Sequence, residues 1–188
     1  MLQVSIPTSQ FKQLEKAIVG LGTTLKKEAS IAINATAKKL ESFMAKEITS
    51  ELAVAQKVVK STIQFSRKAN KDSLFAVIVL NKTRRIPLKE FKAKQTKKGV
   101  TYKISKTNKG RSIVAGGFIV DRFSGNVFAR RTKARGPIQS LKGPSPWGVF
   151  NKGDRKVRAI RFAREELVRQ IQKRIRFLGL KRSGAISG

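Results

Sequence analysis

The sequence predicts an α+β fold, with long helices toward both ends of the chain packed on a mostly antiparallel β-sheet. Three observations carry this. Apolar residues recur every three or four positions up to about Ser50 and again after Asp154, the period of a helix face. Between them the pattern shifts to short runs rich in β-branched residues, bounded by Asn, Asp, Ser and Gly. A hydrophobic content of 40% over 188 residues is enough to bury one core. The expected division is a single domain over residues 1–180 and a flexible tail at 181–188.

Pro7, Thr8 and Ser9 form a helix-start signal, and Phe11, Leu14, Ile18 and Leu21 follow at helical spacing until Gly20 and Gly22 end the segment. A second helix is predicted from Thr23 or Thr24 to about Ser50, with Leu25, Ala29, Ala32, Thr36, Leu40, Phe43 and Glu47 on one side. Ala32, Ala35 and Ala37 keep its middle slim enough for close packing. A short helical piece follows near residues 53–61, with Val54 and Val58 on one face.

Phe75–Leu80 reads as a buried strand. Residues 99–104 alternate Val100, Tyr102 and Ile104 with Thr101 and Lys103, the pattern of a half-exposed strand. Residues 112–114, 118–120 and 126–129 are further short strands, with Ser124-Gly125 as a hairpin turn. Pro87 cannot donate to a ladder, so residues 84–88 and the lysine-rich 89–98 are placed at an edge or in a loop.

Asp154 suits the start of a last helix, and Gly179 is placed to close it. Its predicted apolar stripe is Ile160, Ala163, Leu167, Ile171, Ile175 and Leu178, surrounded by Arg155, Lys156, Arg158, Arg169, Lys173 and Arg176.

Charge sets the function classes. Lys and Arg number 42 against 11 Asp and Glu, for +31 on 20.9 kDa. Self-repulsion at that level calls for a polyanion or an acidic neighbour as counter-charge. With no cysteine and no histidine, disulfides, thiolate chemistry and the usual general base are excluded. The N-terminus lacks the pattern of a secretion signal, and the longest apolar run, Phe75–Leu80, is far short of a membrane span. A soluble intracellular product is the expectation.

An enzymatic reading has one foothold. Glu90-Phe91-Lys92, with Asp72 eighteen residues earlier, resembles the carboxylate and lysine set of a metal-dependent nuclease. Lysine is so abundant that this spacing arises by chance, and Pro87 interrupts the strand such a site needs. No phosphate-binding GxxxxGK[ST] occurs. The expectation is a protein that is not an enzyme, with no cofactor, metal or small-molecule substrate.

Basic clusters interleaved with aromatics occur at 89–98 and 128–135, a combination that suits phosphate contact and base stacking. Phe91, Phe118 and Phe128 are expected in the core, which leaves the cations as the open question. No motif for sequence-specific nucleic-acid reading is present. The basic last helix is expected to pack on the sheet, without a membrane role. Residues 116–150 hold the only Trp and three of the five prolines. Gly136-Pro137-Ile138, Leu141 and Gly143-Pro144-Ser145-Pro146 specify a stiff path with fixed bends. That path either docks on a neighbour or folds back over its own core.

Taken in order, several of these residues resemble the minor tail protein Z family of long-tailed phages and prophages, the tail completion proteins. They are Ala32-Ile33-Asn34-Ala35-Thr36-Ala37, then Arg85-Ile86-Pro87-Leu88 ahead of Phe91 and Gly99-Val100-Thr101. Gly117-Phe118-Ile119, Gly125-Asn126-Val127-Phe128-Ala129-Arg130, Pro137-Ile138, Leu141 and Gly143-Pro144-Ser145 follow. The resemblance spans about residues 10–178, with Gly117 standing where a small residue such as Ala is expected.

The resemblance implies a virion structural protein at the head-proximal end of the tail, found in the host cytoplasm during assembly. It implies tail completion and head–tail joining at the neck, a homo-oligomer with a hexameric ring as the natural count, and neighbours among other tail and neck proteins. The phage DNA end is a further implied partner. Candidate contacts for DNA or an acidic partner are Arg84, Arg85, Lys92, Lys94, Arg130, Arg131 and Arg135. Candidate subunit-interface residues are Pro137, Ile138, Leu141, Gly143, Pro144, Ser145, Trp147 and Phe150. The alternative is a non-specific nucleic-acid-binding protein that is not part of a virion.

Overall fold

The computed structural model describes residues 2–5, 22–108, 110–132 and 136–182. Their order is β1 (Leu2–Ser5), α1 (Gly22–Glu51), α2 (Gln56–Lys60), β2 (Ile63–Arg67), β3 (Phe75–Leu80), β4 (Lys94–Thr96), β5 (Gly99–Tyr102), β6 (Ser112–Ala115), β7 (Phe118–Val120), β8 (Asn126–Arg130), β9 (Ile138–Ser140), α3 (Pro146–Phe150) and α4 (Arg155–Arg182). The α+β class is as expected, but the strands are divided among three three-stranded antiparallel sheets, ordered β1-β3-β2, β4-β5-β6 and β7-β8-β9. The chain forms two compact units. Unit one is Met1–Phe43, Ile63–Val79 and Lys156–Gly188, and unit two is Met44–Thr62 and Leu80–Arg155.

In unit one, the α1 residues Ala32, Ile33, Thr36, Ala37 and Leu40 are almost fully buried, because the helix has a small-residue face that admits close neighbours. Helix α4 runs antiparallel beside it. Arg174 pairs with Glu28 and Lys39 with Glu166 (2.6 Å), and the Phe43 and Phe162 rings stack at 4.4 Å. Asn34 ties α1 to the turn after β2, donating from Nδ2 to the Ala69 carbonyl and accepting from the Ala69 N–H, both at 2.8 Å. That turn is closed by Asn70, whose Oδ1 accepts from the N–H groups of Asp72 and Ser73.

In unit two, Ile48, Leu52, Val59, Ile86, Phe91, Val100 and Val127 make the core. The end of α1 is fixed through its backbone. Ala53 N–H donates to the Ile104 carbonyl at 2.7 Å, and Lys106 N–H to the Glu51 carbonyl at 2.8 Å. Arg155 gathers three acceptors, Glu51 Oε2 at 2.7 Å, the Val149 carbonyl at 2.9 Å and the Lys152 carbonyl at 3.3 Å, so it closes the open C-terminal end of α3.

Several sequence expectations are corrected. Helix α4 continues through Gly179 to Arg182. A helical glycine costs about 1 kcal/mol relative to Ala, too little to stop a helix whose Phe177 and Leu178 are half-buried. Ile160 and Ile175 are exposed, and the buried face of α4 is centred on Ala159, Glu166, Leu167 and Gln170. β1 and β2 are strands that the sequence reading left unassigned. The predicted helix ending at Gly20 and the residues 183–188 of the tail lie outside the described residues.

Candidate functional site

Segments far apart in the chain meet along one edge of unit two. Leu141 N–H donates to the Val127 carbonyl (2.8 Å), Leu88 N–H to the Leu141 carbonyl (3.0 Å) and Gly143 N–H to the Ile86 carbonyl (2.8 Å). Pro87 sits opposite Lys142 in an antiparallel bridge, an edge position where its missing N–H costs nothing. The proline-rich segment is therefore built into the sheet that β7, β8 and β9 begin. Gly143 is obligatory on packing grounds: a Cβ there would lie 2.7 Å from Cζ of the fully buried Phe91 ring, and nearer still to Cε2.

Beyond Gly143 the chain turns through Pro144 and Ser145 into α3, with Pro146 at the start of the helix, where a missing N–H is harmless. Ser145 Oγ donates to the Lys82 carbonyl at 3.0 Å, and Lys82 Nζ lies 5.3 Å from the centre of the Trp147 ring. The loop carrying exposed Arg84 and Arg85 is thereby held against the Pro144–Trp147 corner. Within the predicted interface set, Pro137 and Ile138 are exposed, Leu141, Pro144, Ser145 and Trp147 are half-buried, and Gly143 and Phe150 are buried. The last two position the segment from beneath.

The remaining predicted cations are exposed on other parts of unit two. Lys94 lies on the edge strand β4, and Lys92 precedes it in a left-handed conformation (φ 54°). The Arg111 guanidinium bonds the Lys92 and Thr101 carbonyls, bracing that corner. Arg130 lies 5.0 Å over the Phe118 ring, and Phe118 and Phe123 both pack on Phe128. Arg131 Nε donates to Gln139 Oε1 at 2.8 Å. Arg135 lies outside the described residues. Phe91 and Phe128 are core residues and Phe118 is half-buried, but Phe123 is 50% exposed. Between Lys82 and Lys142 the only acidic residues are Glu90 and Asp121.

Sequence reasoning missed Lys82, Arg111 and Glu166. Glu166 is 2% exposed and accepts from Lys39 (2.6 Å), Gln170 (2.6 Å) and Arg169 (3.1 Å). Burial pushes its pKa up, but the Lys39 and Gln170 hydrogen bonds and the charges of Lys39 and Arg169 outweigh that and hold the carboxyl below its ordinary value. Its chain neighbours, Glu165 and Leu167, give no local signal that it is buried. Asp72 belongs to unit one and Glu90 to unit two. Among the described residues no group of three or more His, Cys, Asp or Glu could hold a metal ion, and no helix is long and apolar enough to cross a membrane.

Comparison with known families decides the class. A family model described as Prophage minor tail protein Z (GPZ) matches residues 11–181, most of the chain. The chain belongs to the minor tail protein Z family. Members are structural proteins of the phage tail, so this one is a component of the virion tail that interacts with other tail proteins. The family is not a known enzyme class. No curated protein and no solved structure matches the chain.

Proposed function

We propose that this tail protein completes the head-proximal end of the tail by assembling into a homo-oligomeric ring, six copies being the natural count. The exposed part of the 137–147 segment is the docking surface for a neighbouring subunit or tail protein. Arg84, Arg85, Lys92, Lys94, Arg130 and Arg131, together with Arg135, meet the phage DNA end or an acidic ring of the neck. Assembly takes place in the host cytoplasm, and catalysis has no part in it.

The observation that carries this reading is the edge where residues 86–88 pair with 141–143. It fixes a bent, proline-stiffened segment before any partner arrives, which lowers the ordering cost of binding. The same unit presents a half-exposed Trp147 and the exposed Arg84 and Arg85, the residue types that dominate binding hot spots.

Light scattering on the purified protein at low micromolar concentration tests the ring, with a discrete oligomer expected and a monomer overturning it. Binding to a random DNA duplex across a salt series tests the phosphate contacts. Weakening with salt is expected, and no binding even at low salt removes DNA as a partner. Tight DNA binding by a monomer that never associates with tails would favour a nucleic-acid-binding protein acting outside the virion.

A further inference from the structure

We infer that the outward stripe of α4 is a docking ridge for an acidic amphipathic helix of another protein. This surface belongs to unit one, whereas the 137–147 segment belongs to unit two. Seven large hydrophobic side chains are exposed among the described residues, and four of them, Val157 (62%), Ile160 (36%), Val168 (49%) and Ile175 (37%), lie on this one helix. At 100° per residue, Val157, Val168 and Ile175 fall within about 20° of one another and Ile160 about 60° to one side. Together they form a ridge about 27 Å long. Isolated exposed aliphatics are ordinary on a protein surface; a collinear set over five turns is the pattern of a helix-packing face.

The occupant follows from charge and backbone. Exposed Arg161 and Arg164 lie within about 40° of the ridge line, while Glu165 is the single acid on the exposed side of the helix. Opposite charges on the partner are therefore favoured. A second copy would bring the same arginines to an isologous contact and repel. The interior of a helix offers no free backbone donors or acceptors, so strand addition is excluded and the partner must interdigitate side chains as a helix does.

The test uses the full chain and a fluorescein-labelled 18-residue peptide with Leu at helical i, i+3/i+4, i+7 spacing and Glu on the flanking positions. Two controls accompany it, a Lys version of the same apolar pattern and a scrambled Glu version. Anisotropy is expected to show the acidic helix binding at least tenfold more tightly than either control. A Val168→Ser/Ile175→Ser variant is expected to lose roughly tenfold in affinity with an unchanged melting temperature, since both side chains are exposed already. Arg161→Glu/Arg164→Glu should reverse the preference toward the Lys peptide.

Wild-type protein that binds none of the peptides, or all three alike, overturns the proposal. So does binding that neither variant alters. Self-association in light scattering that the Val168→Ser/Ile175→Ser variant abolishes would assign the ridge to a second copy. Sedimentation with phosphatidylglycerol vesicles that depends on the same two residues, without peptide binding, would assign it to a membrane surface.

Discussion

The two units handle an excess of positive charge in different ways. In unit one, cations of α4 and α1 meet carboxylates: Arg174 with Glu28, and Lys39 and Arg169 with the buried Glu166. In unit two, several of the described cations are steadied by groups that carry no formal charge. Lys82 and Arg130 lie over aromatic rings, Lys89 donates to the Ser124 carbonyl, and Arg111 to the Lys92 and Thr101 carbonyls, with Arg155–Glu51 as an ion pair at the end of α1. A ring or a carbonyl orients a cation without neutralising it, so the described contacts of Lys82, Lys89 and Arg111 hold a positive group in place and leave its charge available. That is the arrangement expected of a surface whose counter-charge comes from a partner.

The sharpest way to break unit two is beneath its docking segment. Gly143→Ala drives a methyl group into the Phe91 ring and is expected to cost about 3 kcal/mol in urea unfolding. Adding Phe91→Leu should return part of that loss, because the smaller side chain vacates the space; strict additivity of the two would show that the ring is not the obstacle.

In unit one the corresponding weak point is electrostatic. Glu166→Gln keeps the shape but removes the charge that Lys39 and Arg169 face, and about 1–2 kcal/mol of stability at neutral pH is expected to go with it. The native carboxyl is held below its ordinary value, so its contribution is complete above about pH 5, beyond the unfolded value near 4.3, and fades as pH falls through the lower native value. The gap between wild type and variant should therefore close in acid, and a gap that widens there would refute the assignment.

How much of this the sequence shows depends on the range of the interaction. Helix α1 was legible because its small and apolar residues repeat on one face, and Phe75–Leu80 because it is buried on both sides. The face of α4 was misjudged because Ile160 and Ile175 look like core while Glu166, the residue that does go inside, looks like surface. Lys39 from another helix, together with Arg169 and Gln170, makes burial of Glu166 tolerable. β2 was missed although Ile63 and Phe65 alternate with Gln64 and Ser66, since two apolar positions are a weak signal. The cations and prolines of the candidate site could be named individually. Their meeting could not: Ser145 and Lys82 are 63 residues apart, and nothing local to either says that they touch.

The exposed charge of unit two has its own test. Arg84→Gln/Arg85→Gln removes two exposed charges and is expected to leave thermal stability within about 0.5 kcal/mol. If both meet phosphates, the slope of log affinity against log salt for duplex DNA should fall by about 1.8, with affinity weakening about equally on all sequences. An unchanged slope would move the contact from DNA to an acidic protein surface.

The smallest effect discriminates most finely between the units. Arg131→Ala removes one exposed hydrogen bond to Gln139 and is expected to change stability by less than about 0.5 kcal/mol. Its exposed counterpart in unit one, Arg169→Ala, also loses little packing but takes a charge away from buried Glu166, so it should cost about 1 kcal/mol at neutral pH and nothing once that carboxyl is protonated. Partner binding should respond in the opposite sense: Arg131→Ala weakens binding of a polyanion, while Arg169→Ala leaves it close to wild type. Equal stability losses, or equal binding losses, would mean that the two units do not divide the work of charge between holding the fold and meeting a partner.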